Sequence, residues 1–254
     1  MSQSPQPPKN IFRGNPGYSH RQLPVTGILL SNLGTPDAPT TAALRRYLRE
    51  FLSDPRVIEL PRLLWWTILN LFILPFRPRK SAALYRSVWS EQGSPLLVTS
   101  KSQLEGFRKK LEEEIGSPVV VALGMRYGNP SIAKALEELR QHDIGRLLVI
   151  PLYPQYSSAT TGSTFDAVAE VLKGWRRVPD LRFVAQYHDH PGYIEAVCEK
   201  VRATWNKTGK KPEKLLLSFH LSAMPEECKS KSCIIVFTNR LSHRPFAIFA
   251  SVFA

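Results

Sequence analysis

The sequence predicts an α/β fold built around a parallel sheet, and three features support this prediction. Residues 147–152 form an apolar run without alternation, which is typical of a strand covered on both faces. Such runs alternate along the chain with segments of helical periodicity. Polar loops follow the runs, and open α/β sheets bind ligands just outside the carboxyl ends of their strands. The predicted fold class therefore also indicates where a site lies.

Size and charge narrow the class of protein. The chain has 254 residues, of which 43% are hydrophobic, enough for the core of one large or two small α/β domains. Its net charge of +13 favours an anionic partner, such as a nucleic acid, a lipid surface or an acidic small molecule. No nucleic-acid-binding module accompanies the basic residues, so we expect no nucleic-acid partner.

The cysteines indicate a reducing compartment. Cys198, Cys228 and Cys233 have neither a paired framework nor zinc-finger spacing, and they do not indicate an iron–sulfur cluster. The first residues lack the apolar core of a secretory signal. We expect a cytoplasmic protein, soluble or peripherally attached to a membrane, with no prosthetic group.

The chain begins with a predicted disordered tail and a first strand. Residues 1–23 are rich in Pro, Ser, Gln and Asn and bury too little apolar surface to offset their ordering entropy. Residues 25–32 are the first strand, and Gly34 and Pro36 predict a turn after it. No Gly-x-Gly-x-x-Gly fingerprint follows this strand. Thr40 or Thr41 then caps a helix that runs to about Leu52.

An apolar run at residues 63–74 permits two interpretations. It is shorter than the roughly 20 residues that a membrane-spanning helix needs, and it contains Asn70. Its local pattern, with paired tryptophans, favours a buried core helix. The other interpretation is an exposed apolar lip beside a ligand cleft, with Arg77, Arg79 and Lys80 placed to meet lipid phosphate.

The remaining elements continue the alternation. Leu104, Phe107, Leu111 and Ile115 give a helix that Gly116 ends, and Asn129 and Pro130 start another whose Ile132, Leu136 and Leu139 face the sheet. The further predicted strands are 119–123, 147–152, 181–186 and 214–220, and the further predicted helices are 165–175 and 193–205, the last with Ile194, Val197 and Val201 inward.

Two polar loops are candidate binding segments. The loop after residue 152 carries Tyr153, Tyr156, Ser157, Ser158, Thr160 and Thr161. It is either a binding loop or a Ser/Thr turn that caps the next helix. Arg126 and Tyr127 follow another strand and can reach the same crevice, where a guanidinium binds a carboxylate with two parallel hydrogen bonds. The alternative is a surface Arg beside a Tyr packed under a helix.

Histidines supply the candidate chemistry. His220 ends the predicted strand 214–220, where an imidazole serves as a base or as a metal ligand, although a lone His is more often structural. His188 and His190 flank Asp189 with the spacing of metal ligands. We interpret that segment as a solvated loop.

Several segments together resemble the ferrochelatase family, whose members insert ferrous iron into protoporphyrin IX. They are Asn32-Leu-Gly-Thr-Pro-Asp37, Phe51-Leu-Ser-Asp-Pro-Arg-Val-Ile58, Tyr85-Arg-Ser-Val-Trp-Ser-Glu-Gln-Gly-Ser-Pro-Leu-Leu97, Arg126-Tyr127, Pro151-Leu-Tyr-Pro-Gln-Tyr-Ser-Ser-Ala-Thr-Thr-Gly-Ser163 and Leu217-Ser-Phe-His220. The resemblance covers about Val25 to His220.

The resemblance implies a chelatase-like fold of two Rossmann-like domains with parallel sheets. Residues 24–152 are the first domain, with the apolar lip at 60–80, and residues 153–220 begin an incomplete second domain. It further implies that His220 is the catalytic base or metal ligand. The substrate-binding residues that it implies are Leu33, Tyr85, Arg126, Tyr127, Tyr156, Ser157, Ser158 and Thr160. Protoporphyrin IX and Fe²⁺ are the implied substrates, and the lip is implied to touch the membrane.

The resemblance ends after His220. The family continues with Gly, an aliphatic residue and Pro, whereas this chain reads Leu221-Ser-Ala-Met-Pro225, and no residue corresponds to the acidic partner that faces the His. We therefore expect residues 221–254 to be an unmatched tail, the product of a frameshift or a gene fragment. Two other functions stay open at this point: a porphyrin-binding protein without chemistry, and a nucleotide-dependent transferase of doubly wound fold, which the lack of a Gly-rich phosphate loop disfavours.

Overall fold

A computed structural model describes residues 12, 14, 25–115 and 118–209, and the backbone of two strands at 214–220 and 232–238. The chain divides into two compact units, residues 1–186 and 187–254. The predicted tails 1–23 and 221–254 lie mostly outside the described residues. The predicted domain boundary at residue 152 stays a prediction.

The first unit is organised around a four-stranded parallel sheet with the strand order β2-β1-β3-β4. Its strands are β1 (Val25–Thr35), β2 (Val119–Gly128), β3 (Ile144–Pro151) and β4 (Asp180–Phe183). In the register, Leu30 of β1 lies between Leu123 of β2 and Ile150 of β3. The predicted parallel α/β sheet is confirmed.

Helices cover both faces of this sheet. These are α4 (Pro95–Glu114) on one face and α5 (Ile132–Arg140) and α6 (Ser163–Leu172) on the other. The other described helices of this unit are α1 (Thr41–Ser53), α2 (Arg62–Ile68) and α3 (Leu74–Val88), with π-helical segments at Leu69–Ile73 and Ser158–Gly162. Leu29 of β1 packs in a core with α5 and α6, whereas Ile28 and Leu30 pack with Leu104 of α4. Two covered faces explain why the strand sequences are apolar without alternation.

Strand β1 continues three residues beyond its predicted end at Asn32, into the predicted turn. Gly34 has a φ of +102° and still pairs with Tyr127 of β2. A Cβ atom on Gly34 would lie 1.8 Å from the carbonyl oxygen of Tyr127, so this close approach of two backbones requires glycine. The strand order places β2 on one side of β1 and β3 on the other, which makes the carboxyl ends of β1 and β3 a topological switch point.

Two helix starts test the predicted caps. Thr40 is the N-cap of α1, with its Oγ1 accepting a hydrogen bond from the N–H of Ala43 at 3.3 Å, as one of the two predictions had it. The prediction that Asn129 caps α5 is wrong. Ser131 is the cap, because the Asn129 amide instead donates to Oδ1 of Asp37 at 2.7 Å.

The apolar lip, residues 60–80, divides its side chains between core and surface. Trp65, Leu69 and Leu74 are buried. Leu63, Leu64, Trp66, Leu71, Phe72 and Phe76 are exposed by between 54% and 81%. The segment is therefore not a fully buried core helix, since one face packs inward and the other faces outward. Its place beside a ligand cleft and its contact with lipid stay predictions. None of the helices that the structure describes is long and apolar enough to cross a membrane.

The second unit contains α7 (Pro191–Thr208), β5 (Lys214–His220) and β6 (Ser232–Thr238). The predicted inward face of α7 is not buried: none of its residues is buried in the part of the chain that the structure describes, and Val197 is 40% exposed. Strand β5 pairs antiparallel with β6, with His220 opposite Ser232, and not as a parallel strand. The connection between them is shorter than the dozen or so residues that a parallel crossover needs.

Candidate functional site

A buried polar cluster joins three segments at the carboxyl edge of the first sheet. Asp54 follows α1, and Ser163 is the first residue of α6. Arg126 and Tyr127 lie within β2, so the prediction that they follow a strand ending at residue 123 is wrong. The chain separates Asp54 from Ser163 by 109 residues, and the fold brings their side chains to 2.5 Å. We call Asp54, Arg126, Tyr127 and Ser163 the Asp54 cluster.

The Arg126 side chain is held by hydrogen bonds on one edge of its guanidinium. Nε donates to the carbonyl oxygen of Ser163 at 3.0 Å and to its Oγ at 2.6 Å. Nη2 donates to Oδ2 of Asp54 at 2.5 Å. The guanidinium also lies 4.5 Å from the centre of the Tyr127 ring, within the range of a cation–π contact. The side chain is 19% exposed, so Arg126 is not the free surface arginine of the alternative interpretation.

Tyr127 is fully buried. Its hydroxyl donates to Oδ2 of Asp54 at 2.8 Å and lies 3.1 Å from Oγ of Ser163. Its ring meets Phe51 edge-on, with 5.0 Å between ring centres. Burial raises the pKa of the Tyr127 hydroxyl well above its ordinary value, so the hydroxyl stays protonated and can donate. Its predicted role as a lining residue of a porphyrin cavity stays a prediction.

Asp54 is the acceptor on which the cluster converges, and sequence reasoning missed it. Oδ2 accepts from Ser163, Tyr127 and Arg126, while Oδ1 accepts from the backbone N–H of Arg56 at 2.8 Å. Burial opposes ionisation of this carboxyl, but the hydrogen bonds from Ser163, Arg56 and Tyr127 and the charge of Arg126 lower its pKa below the ordinary value. Asp54 is therefore a carboxylate at neutral pH.

Arg56 makes a second link between the same segments. Its Nη1 donates to Oγ of Ser158 at 3.2 Å, and its Nε and Nη2 both donate to the carboxylate of Asp166 in the first turn of α6. A Cβ atom on Gly162 would lie 2.9 Å from Arg56 Nη1, so the guanidinium rests against the backbone of the π-helical segment. The predicted binding loop is thereby attached to the segment that follows α1.

The loop residues differ in exposure. The Tyr156 side chain is among the exposed aromatic ones, at 53%. The carbonyl oxygen of Ser157 accepts from the N–H groups of Thr160 at 3.2 Å and Gly162 at 3.1 Å, which closes the turn into α6. Ser158 and Thr160 are half-buried. Neither the π-helical segment nor α6 has a side-chain capping hydrogen bond at its N-cap, so the interpretation of the loop as a Ser/Thr helix cap is wrong. Its role as a binding loop stays a prediction.

Leu33 and Tyr85 lie on the lip side of the same edge. Leu33 packs against a buried cluster that contains Tyr127 and Tyr47 together with Trp65 and Leu69 of the lip. The hydroxyl of Tyr47 donates to the carbonyl oxygen of Gly34 at 3.3 Å. The pKa of the Tyr85 hydroxyl is raised by burial, although a hydrogen bond with Tyr47 opposes this rise. One apolar cluster therefore anchors the lip to Tyr127 of the Asp54 cluster.

The structure describes the side chain of His190 but not that of His220. The side chain of His220 lies outside the described residues, so its predicted catalytic role stays a prediction. His190 is the N-cap of α7, with its Nδ1 accepting from the N–H of Gly192 at 3.2 Å. Among the side chains that the structure describes, no group of three or more His, Cys, Asp or Glu is placed to hold a metal ion.

Comparison with known proteins finds one family and relatives that carry the same name. The ferrochelatase family matches residues 25–233. A protein named ferrochelatase from Alcanivorax borkumensis is 56% identical over 209 residues, which are 82% of this chain and 61% of that protein. Ferrochelatases from Thioalkalivibrio sulfidiphilus and Nitrosococcus oceani are 56% and 50% identical, and they cover 82% and 91% of this chain.

The chain spans about three fifths of the length of these relatives, between 56% and 64%. The matched region nevertheless contains every predicted site residue, from Leu33 to His220. The match covers more than half of the chain, and the described part of that match has the parallel α/β sheet that the resemblance implied. This chain belongs to the ferrochelatase family.

Proposed function

We propose that this protein is a ferrochelatase that inserts Fe²⁺ into protoporphyrin IX to make protohaem, the last step of haem biosynthesis. The observation that carries the proposal is the family match over residues 25–233, which includes all the proposed site residues. The position of the Asp54 cluster supports it, since the cluster lies at the carboxyl ends of parallel strands, where this class of sheet binds ligands.

The reaction exchanges one metal ion for two protons. Fe²⁺ enters the macrocycle, the two pyrrole N–H groups are deprotonated, and two H⁺ leave. The ion must also shed its water. A base near neutral pH and a weak nitrogen or oxygen ligand serve these steps, and an imidazole is suited to either. We assign this role to His220, at the end of β5.

The remaining site residues would bind the porphyrin. Leu33 and Tyr85 would supply apolar contacts to the macrocycle, with the fully buried Tyr127 packed behind Leu33. Tyr156, Ser157, Ser158 and Thr160 would supply hydrogen bonds from the loop. Arg126 would bind a propionate. Its contacts with Ser163 and Asp54 use Nε–H and one N–H of Nη2, so Nη1 and the second N–H of Nη2 are the donors that those contacts leave for a carboxylate.

The exposed face of the lip supports a peripheral attachment to lipid. Its side chains include Trp66, Phe72 and Phe76, each more than 60% exposed. Arg77, Arg79 and Lys80 follow directly and are exposed as well. An apolar surface beside cationic side chains is suited to an anionic membrane interface, where a product and a substrate of low water solubility are exchanged. We expect this attachment on the cytoplasmic side.

Anaerobic assay of the purified chain with Fe²⁺ and protoporphyrin IX tests the proposal. Formation of haem, lost in His220→Ala and kept in the control His142→Ala, is the expected result. Porphyrin binding without haem formation would instead favour a porphyrin-binding protein without chemistry. Absence of porphyrin binding together with saturable binding of a nucleotide would overturn the proposal in favour of a transferase.

A further inference from the structure

Three of the proposed substrate-binding residues depend on one short segment. Asp54 accepts hydrogen bonds from Arg126 and Tyr127, and Arg56, two residues later, donates to Ser158. This segment follows α1 directly and makes these contacts across 72, 73 and 102 residues of sequence. Groups from β2 and from the binding loop are therefore held by a third part of the chain.

The hydrogen bonds fix the orientation of the Arg126 guanidinium. The edge formed by Nε and Nη2, which could grip a carboxylate with two parallel hydrogen bonds, is occupied by Ser163 and Asp54. A ligand carboxylate must then approach the other edge, which Nη1 forms with the second N–H of Nη2. An arginine held in this way has lost its rotamer freedom before the ligand arrives, so binding does not have to supply that entropy.

Asp54 has no substitute in this arrangement. Its Oδ2 is the common acceptor for the Ser163 hydroxyl, the Tyr127 hydroxyl and the Arg126 guanidinium, and its side chain is only 4% exposed. If the acceptor is removed, Arg126 Nη2 loses its partner, whereas the Tyr127 and Ser163 hydroxyls still lie 3.1 Å apart and Arg126 Nε still donates to Ser163. Arg126 can then rotate towards solvent, where a flexible cation recognises a carboxylate less selectively.

We propose that Asp54 is a positioning residue that holds Arg126 in the orientation in which Nη1 meets a carboxylate of the porphyrin. This role rests on the proposed function, because it concerns the same binding site. Asp54 does not touch the substrate in this arrangement. It acts through Arg126, and it therefore controls the preference for a ligand that carries free carboxylates over one that does not.

Titration with two porphyrins tests this role. Binding of protoporphyrin IX and of its dimethyl ester, which lacks ionised carboxylates, is measured by quenching of tryptophan fluorescence for the wild type, Asp54→Asn and the control Asp180→Asn. Asp180 is an exposed residue at the start of β4. Asp54→Asn should weaken binding of the free acid at least fivefold and change binding of the ester less than twofold, whereas Asp180→Asn should change neither.

Further variants test whether Asp54 acts through Arg126. Arg126→Leu should lose the same preference for the free acid, and adding Asp54→Asn to it should cause no further loss, since the group that Asp54 positions is already absent. Should Asp54→Asn fail to fold, Ser163→Ala serves as the second variant. It removes the hydroxyl that accepts from Arg126 Nε and should also lower the preference for the free acid.

The outcomes separate this role from the function on which it rests. Equal weakening of both porphyrins by Asp54→Asn, or of neither, overturns the positioning role and leaves the proposed function intact. Additive losses in the double variant overturn it as well. If the wild type binds neither porphyrin, the proposed function fails and the role of Asp54 fails with it.

Discussion

Arg56 and Asp166, 110 residues apart in the sequence, form a two-point ion pair between the segment after α1 and the first turn of α6. The second of its hydrogen bonds, from Nη2 to Oδ1, is 3.0 Å long. The same guanidinium reaches Ser158 through its third nitrogen. The exposed ion pair therefore attaches the segment after α1 to the binding loop and to α6. The buried Asp54 cluster makes a second attachment between the segment after α1 and α6.

A double-mutant cycle of Arg56→Ala and Asp166→Asn should give a coupling of about 1 kcal/mol in the free energy of unfolding. The value is modest because the side chains are 35% and 47% exposed, and water screens the pair. Denaturant titration of the four proteins measures it. The pair Lys173–Glu170, with side chains 72% and 75% exposed, is the control and should show no coupling. A coupling no larger than that of the control would show that the Arg56–Asp166 ion pair does not stabilise the fold.

Tyr127→Phe should destabilise the protein by about 1 kcal/mol and lower Tm by about 2–4 °C. The substitution keeps the buried ring against Phe51 but removes the hydroxyl that donates to Asp54, which retains its bonds from Arg126 and Ser163. Thermal unfolding followed by circular dichroism gives the shift. Tyr156→Phe is the matched control, since that ring is 53% exposed, and its Tm should not change. Equal shifts in both variants would show that the buried hydrogen bond contributes nothing.

Asp54 should contribute to the loss of stability in acid. Its hydrogen bonds and the charge of Arg126 lower its pKa in the folded state below the value of about 3.9 expected in the unfolded chain. The unfolded chain then binds a proton more readily, so the stabilisation is present above about pH 4 and is lost as the pH falls through the folded pKa. Asp54→Asn should be less stable than the wild type at pH 7.

The difference in free energy of unfolding between the wild type and Asp54→Asn should narrow as the pH falls below about 4. Protonation of Asp54 then destabilises the wild type, whereas the amide of the variant has no proton to gain. Free energies of unfolding from urea titrations at several pH values measure this convergence. Asp180→Asn serves as the exposed control and should follow the wild type at each pH. A difference between wild type and Asp54→Asn that stays constant across the acid range would contradict the assigned ionisation.

The sheet was predictable from sequence because each strand is marked by its own run of apolar residues. Strands β1, β2 and β3 are covered on both faces, so their residues are apolar whichever side they face, and polar loops begin where the strands end. The sequence also indicated Arg126 and the loop after residue 152. The continuation of β1 to Thr35 was missed, since Gly34 is a turn signal that here serves a close contact between two backbones.

Asp54 was not predictable in the same way. Ser53-Asp54-Pro55 has the composition of an exposed turn, in which an acidic residue needs no partner. Its burial depends on Arg126 and Ser163, which the fold delivers from 72 and 109 residues away. The lip shows the same limit, because local pattern cannot tell which face of an apolar helix a neighbour will cover. Trp65 was covered, with its Nε1 donating to the carbonyl oxygen of Leu52 at 2.6 Å, and Trp66 was not.

The exposed face of the lip yields the last prediction. Leu71→Asp with Phe72→Asp should lower binding to vesicles of anionic phospholipid about tenfold or more, since both side chains are at least 60% exposed and would otherwise bury apolar surface in the lipid. Co-sedimentation at low ionic strength measures the binding. Val178→Asp is the matched control, because Val178 is 58% exposed but lies outside the lip, and its binding should equal that of the wild type.

Two further conditions separate insertion from charge attraction. Raising the salt concentration should weaken binding of the wild type only in part, because salt screens Arg77, Arg79 and Lys80 but leaves the apolar contact in place. The wild type should bind neutral vesicles more weakly than anionic ones. On neutral vesicles it should still bind better than the double variant does. If the double variant binds anionic vesicles as well as the wild type does, the lip is not the membrane-contacting surface, and its exposed aromatic side chains need another explanation.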